Sequence, residues 1–203
     1  MRRRTRKSLA DLRALARGRR GHTFTVEDAQ RFGISRKTLA KLASDPDGST
    51  RIARFDRGIY QVIPDRAEDH VIAAWRKVGE DSVASHRTAL ALHNLSDIEP
   101  RGYEFTVPRA RRSRSYNERF KIHTATSRPK VVSVHGVPVT SVTRTLVDCA
   151  LLGEQTEMAV AQAFARGLTT ESDLREEARL RARAVRDAIE RAITVRGSYA
   201  AYV

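Results

Sequence analysis

Long apolar runs are missing from this chain. No stretch approaches the length of a membrane span, so no membrane partner is expected. The basic start, MRRRTRK, is followed by no apolar segment, and no signal peptide is expected. Cysteine is almost absent. The lone Cys149 cannot form an internal disulfide, and within TLVDCALL it reads as a buried thiol. These absences fit a cytoplasmic protein.

Common enzyme signatures are missing as well. There is no Gly-rich phosphate loop and no Gly-x-Ser-x-Gly. A metal nuclease needs clustered carboxylates, usually with a lysine nearby, to hold Mg²⁺ and a water. Asp97, Glu99 and Glu104 form the only acidic group near an expected strand, and no lysine follows them. No catalytic residue and no cofactor are expected. His86 and His93 lie seven apart on one helical face, too far apart to share a metal. No cysteine or carboxylate stands at ligand spacing, so both read as structural histidines and no metal is expected.

What is abundant is positive charge. The 203 residues carry 38 Lys and Arg against 24 Asp and Glu, a net charge of +14. Residues 1–64 alone account for +10, and residues 108–121 for +5, whereas residues 65–107 carry −3. Concentration into one block and one short run points to a polyanion partner, with nucleic acid first. An anionic membrane is disfavoured because no basic segment carries a bulky apolar face. An apolar share of 40% suffices for a core.

The basic block has a readable order. In KSLADLRALARG, Leu9, Leu12, Leu15 and Ala16 recur at helical spacing, and Gly18 supplies a stop. Thr25, with Asp28 three residues on, resembles a capping box for a second helix whose inner face is Val26, Ala29 and Phe32. Gly33 suits the left-handed position past that helix, and Ser35 is a good N-cap for RKTLAKLASD. Leu39 and Leu42 point inward, leaving Arg36, Lys37, Ala40 and Lys41 outside. RIARF and IYQVI then read as strands joined by the turn DRG.

Helix, helix, helix and hairpin in that order make a winged helix-turn-helix. Its second motif helix presents its first residues to base edges in the major groove of double-stranded DNA. Here those are Ser35, Arg36, Lys37 and Thr38, with Lys41 one turn later. Arg51, Arg54 and Arg57 fall on the wing, a place for phosphate or minor-groove contacts. The competing reading is a winged-helix protein-docking module with a solvated basic face.

Beyond residue 64 the pattern is mixed. EDHVIAAWRKVG reads as a helix with Val71, Ile72 and Trp75 inward, and SHRTALALHNL as another. YEFTVP and RFKIHTA read as strands, and VVSVHGVPVTS as a hairpin turning at His-Gly. The arginine-rich run between the first two strands, with Arg109, Arg111, Arg112 and Arg114, has no apolar face. It is either a solvated loop or a second polyanion contact, to DNA backbone or to RNA. Val142, Leu146, Val147, Ala150 and Leu151 mark a helix on which Arg144 and Asp148 can pair four apart. A long final helix is expected, with Leu174, Ala178, Val185 and Ile189 as its buried stripe, then a loose tail. The fold class is therefore α+β. A winged helix-turn-helix domain covers residues 1–64, and helices around a small sheet cover residues 65–203.

The ordered series FTVEDAQRFGISRKTLAKLA, RIARFDRGIYQV, ASHRTALALHNLSDIEP, YEFTVPRARR and VHGVPVTSVTRTLVDCA resembles the AbiEi-type antitoxins of bacterial type IV toxin–antitoxin systems. The resemblance spans roughly residues 20–192. It implies an N-terminal winged helix, a C-terminal antitoxin domain, and repression of the protein's own operon through inverted promoter repeats. It also implies a nucleotidyltransferase-like toxin as functional partner, opposed without a stable complex. The match in the winged helix runs over Gly33 to Leu39 and the wing turn Arg57, Gly58 and Tyr60. The link ASDPDGST is longer and more acidic than the short basic turn the family implies. The alternatives are a nucleic-acid-processing enzyme related to restriction or repair nucleases, and a basic adaptor for protein or RNA.

Overall fold

The chain folds as two units, Met1–Gly79 and Glu80–Val203. The structure, a computed structural model, describes residues 2–19, 22–44, 51–63, 67–95, 102–111 and 116–202. Side chains are described throughout these except at 2–8, 67–68 and 200–202.

In the first unit α1 (Arg2–Arg17) buries Leu12 and Ala16, with Leu9 and Leu15 packed at the margin. The strand β1 (Thr23–Thr25) leads into α2 (Val26–Arg31) and α3 (Arg36–Ala43). A hairpin follows, β2 (Ile52–Asp56) and β3 (Ile59–Val62). The three strands form one antiparallel sheet in the order β1-β3-β2. Register sets Phe24 against Tyr60, and their rings stack at 5.8 Å. Ile34 and Leu39 complete the core from the turn and from α3.

The helix α4 (Ala67–Val78) shifts the expected domain boundary. It packs on β2 and β3 rather than opening the second unit, so the division after residue 64 moves to after Gly79. His70 stacks on Phe55 of the wing at 6.2 Å, and Asp69 pairs with His22 at 3.3 Å. The Arg76 guanidinium donates to the Thr23 hydroxyl at 2.6 Å. Buried Ile72, Ala73, Ala74 and Val78 form the inward face, while Val71 and Trp75 are only half-buried.

The second unit holds a mixed five-stranded sheet in the order β6-β5-β4-β8-β7. Its strands are β4 (Val83–Ala84), β5 (Tyr103–Pro108), β6 (Phe120–Ala125), β7 (Val131–Val134) and β8 (Val137–Thr140). The pairs β5–β6 and β4–β8 are parallel. The β7–β8 hairpin turns at His135 and Gly136, both left-handed at φ 49° and 80°, as the His-Gly turn requires. A helical core of Leu90, Leu146, Val147, Leu174, Ile189 and Ile193 is contributed by α5 (His86–Leu92), α6 (Val142–Asp148), α8 (Glu171–Ala178) and α9 (Arg183–Val195), with Leu95 added from just beyond α5. Ala159, Val160 and Ala163 of α7 (Glu154–Ala165) join it. Cys149 is buried there, and burial pushes its thiol well above the ordinary value. The architecture is α+β.

Two expectations fail here. The long final helix is broken into α8 and α9 by an extended residue at Ala182, with Leu180 left 84% exposed. A continuous helix of that span would run on the order of 30 Å, past the edge of a single core. Folding back brings Leu174 and Ile189 onto the same core, and Arg175 then reaches Glu190 across the pair at 2.9 Å. The expected loose tail is instead a 3-10 helix, Arg196–Tyr202, packed on α7 and α9. Tyr199 donates to Glu157 at 2.8 Å, and the Arg196 guanidinium lies 5.1 Å over the Phe164 ring.

Candidate nucleic-acid interface

The turn between α2 and α3 is built as its residues dictate. Thr25 and Asp28 form a reciprocal capping box: the Asp28 N–H donates to Thr25 Oγ1 at 3.2 Å, and the Thr25 N–H to Asp28 Oδ2 at 2.9 Å. Burial would raise the Asp28 carboxyl, but Arg19 and the Thr25 N–H hold it below the ordinary carboxylate value. At the other end Gly33 takes φ +72°, its N–H donates to Gln30 O at 2.9 Å, and the Ile34 N–H to Ala29 O at 3.0 Å. That pair of bonds is a Schellman closure, with buried Ile34 as its apolar anchor. No atom lies within 4 Å of where a Gly33 side chain would begin, so the left-handed backbone itself selects glycine, not a clash.

Ser35 caps α3, its Oγ accepting from the Thr38 N–H at 3.1 Å. The Ser35 and Thr38 hydroxyls also bond each other at 2.9 Å. Both are therefore engaged in holding the helix end. Arg36, Lys37 and Lys41 are exposed and make no hydrogen bond or salt bridge among the described residues, while Leu39 beneath them is fully buried.

On the wing, Arg51, Arg54 and Arg57 are all exposed. Arg54 leans on the Asp56 carbonyl at 3.5 Å, and Gly58 at φ +82° closes the turn. The Arg57 carbonyl accepts from Lys77 at 3.0 Å, which fixes the wing tip to α4. One feature escaped the sequence reading. Partial burial, then the charges of Arg17 and Arg51, hold the Arg13 guanidinium below its ordinary value. The like-charged pair at positions i and i+4 was the available signal.

The arginine-rich run divides. Arg109 is exposed on a short 3-10 turn, Arg109–Arg111. Arg111 is not a free loop cation; it is held by the Asp81 carboxylate. Arg112 and Arg114 lie outside the described residues, as do Asp97, Glu99 and residues 45–50 of the acidic link.

The reading of His86 is corrected. A carboxylate does stand beside it, and so does a second histidine. The His86 and His123 rings stack at 3.5 Å and 10°, and His123 Nε2 lies 2.8 Å from Glu104 Oε2. A lysine also accompanies Glu104: Lys121 Nζ is 3.4 Å away, placed there by the parallel register of β5 and β6. His93 keeps its structural reading, bonding the Thr140 carbonyl through Nε2 at 2.7 Å.

This cluster predicts acid sensitivity. Burial, then the neighbouring His123, pushes His86 down to about 4, against the pull of Asp148 and Glu104. The unfolded chain takes up that proton near the ordinary value of 6.5, and the folded chain does not. Stability is therefore intact above about pH 6.5 and falls as pH drops towards 4, by at most about 3 kcal/mol. Urea midpoints at about pH 7.5, 5.5 and 4.5 measure it. His86→Asn, which suits the φ of +50° there, should flatten the decline. An equal decline in that variant would assign the effect to other groups.

No family model matches the chain, and no curated protein matches it. Among solved structures, the RV2827C protein from Mycobacterium tuberculosis matches at 15% identity with a TM-score of 0.57. The match covers 93% of this chain and 76% of that one. At that identity the likeness shows the fold alone.

Proposed function

We propose that the chain is a sequence-specific DNA-binding protein that represses its own operon and acts as the antitoxin to a nucleotidyltransferase-like toxin. The observation that carries the DNA part is the set Arg36, Lys37 and Lys41. These cations stand exposed on a helix pinned by the Ser35 cap and the Gly33 turn, and Arg51, Arg54 and Arg57 follow on the wing of the same unit. Cations held on a rigid element, with no hydrogen bond or salt bridge among the described residues, suit contacts to base edges and phosphates. The repressor and antitoxin roles rest on the resemblance to AbiEi-type antitoxins. Among the described residues no helix is long and apolar enough to cross a membrane.

The test is footprinting of the intact protein on DNA upstream of its own coding sequence, with a scrambled duplex alongside. Protection of paired repeats is the expected result, and equal binding to both duplexes would overturn it. Co-expression with a neighbouring nucleotidyltransferase-like gene tests the antitoxin role: growth should be restored. A second reading, a metal-dependent nuclease, has Lys121 beside Glu104 in its favour. The same duplexes should stay intact with Mg²⁺ or Mn²⁺; cleavage abolished in Glu104→Gln would select the nuclease.

A further inference from the structure

We propose that His86, Glu104 and His123 bind one divalent transition-metal ion of the Zn²⁺ class, through two imidazole nitrogens and one carboxylate oxygen. The inference concerns the second unit only and does not rest on the DNA-binding reading.

Three elements deliver the three groups to one place. His86 opens α5, Glu104 lies on β5 and His123 on β6. One ligand atom from each lies within 4.8 Å of the other two. Tetrahedral bonds of about 2.0–2.1 Å need ligand atoms about 3.3 Å apart, so the site closes when one imidazole moves inward and tilts out of the stack to aim its lone pair at the ion. His123 Nε2 and Glu104 Oε2 already face each other at 2.8 Å, and the ion replaces the proton that lies between them.

The surroundings favour metal over a bare hydrogen-bonded cluster. Glu104 is only 5% exposed, yet it faces two imidazoles. The rings stack at 3.5 Å, where two imidazolium charges would repel, so at most one ring is charged and a neutral nitrogen is available once its ring tilts towards Glu104. His86 has a hydrogen-bond partner of its own. Its Nδ1 lies 3.1 Å from Ser85 Oγ, which itself accepts from the Thr106 hydroxyl at 2.9 Å. That oxygen takes the Nδ1 proton and leaves Nε2 as the ligand, the outer arrangement that metal-bound histidines use. His86 also holds φ +50°, a left-handed backbone unusual for histidine, and this turns its ring towards Glu104 and His123.

Two cations compete for the carboxylate. Lys121 reaches Oε2 at 3.4 Å and Arg87 reaches Oε1 at 3.7 Å. Both are well exposed, at 64% and 41%, and both contacts are long, so Lys121 can swing into water as the ion takes Oε2. Arg87 keeps Oε1 and orients the carboxylate. Two nitrogens and one oxygen suit Zn²⁺, Co²⁺ or Ni²⁺; Mg²⁺ prefers an all-oxygen shell. Three protein ligands leave a coordination position to water.

The test uses the untagged full chain and the metals alone. Zn²⁺ titration against a chromophoric chelator should give one equivalent. Affinity should fall at least about tenfold in Glu104→Gln and in His123→Ala, and stay unchanged in His135→Asn, a turn histidine outside the cluster. Mg²⁺ should not compete. Wild-type binding no tighter than that of the two variants would overturn the proposal. X-ray absorption of the Zn²⁺-loaded wild type needs no variant to fold: two imidazoles and no sulfur are expected, and fewer than two imidazoles, or a sulfur ligand from Cys149, would overturn it.

Discussion

Asp148→Ala should destabilise the second unit by about 3 kcal/mol, the low end of the cost of breaking a buried ion pair. The carboxylate is 5% exposed and accepts from two arginines. Arg144 Nε donates to both its oxygens at 2.9 and 2.8 Å, and Arg181 Nη2 donates to Oδ1 at 2.9 Å. Removing it leaves two half-buried guanidiniums sharing Glu177, which lies 3.4 Å from Arg144 and 3.9 Å from Arg181. The low end applies because both arginines keep some access to water. Those contacts also tie α6 to the segment that breaks α8 from α9, so fraying should begin at residues 179–182. Urea unfolding of Asp148→Ala and Glu177→Ala, side by side, measures the effect. Glu177 is a quarter exposed and its loss should cost less than about 1 kcal/mol. Equal small losses for the two would make the Asp148 network an ordinary surface one.

The same network shows where the sequence was readable. Arg144 and Asp148 are four apart on one helix, so their pairing follows from helical geometry. Arg181 lies 33 residues from Asp148 and arrives only because the chain folds back after α8. No glycine or proline stands between Glu171 and Ala192 to mark that fold, and the apolar spacing runs through it without interruption. Short-range chemistry was legible elsewhere too: the Thr25–Asp28 box, the Gly33 turn, the Ser35 cap and the His135–Gly136 hairpin each lie within a few residues. Long-range placement was not. Glu104 meets Lys121 and His123 through the parallel register of β5 and β6, and no local pattern announces a parallel pair joined by a loop. For the same reason Arg111 looked like a loop cation until Asp81, thirty residues earlier, turned up beside it. Likewise α4 looked like the start of a new domain, because its partners on the wing are fixed only by packing.

The proposed DNA interface yields the second large expected effect. In the double variant Arg36→Ala/Lys37→Ala the gap between operator and scrambled DNA should shrink by about 2–6 kcal/mol, since each good base contact is worth about 1–3 kcal/mol of discrimination. The fold should survive, because both side chains are exposed and the Ser35 cap and buried Leu39 are untouched. Arg57→Ala should behave differently. A wing-tip phosphate contact carries little sequence information, so both duplexes should weaken together. The log–log salt slope should also flatten by about 0.9 for each phosphate that the variant no longer neutralises. Ser35→Ala should act through the helix end and not through a base, because its hydroxyl is already engaged with Thr38. Arg109 and Arg111 separate the two readings of the basic run: exposed Arg109 should flatten the slope only if that loop lies on the backbone, and Arg111, held by Asp81, should leave it unchanged. Titration of both duplexes at several salt concentrations reads all of these at once. Equal, purely salt-dependent losses for the double variant and Arg57→Ala would place α3 on phosphates, reading no bases. Unchanged binding in both would leave Gly33 and Ser35 as an ordinary turn on a basic surface.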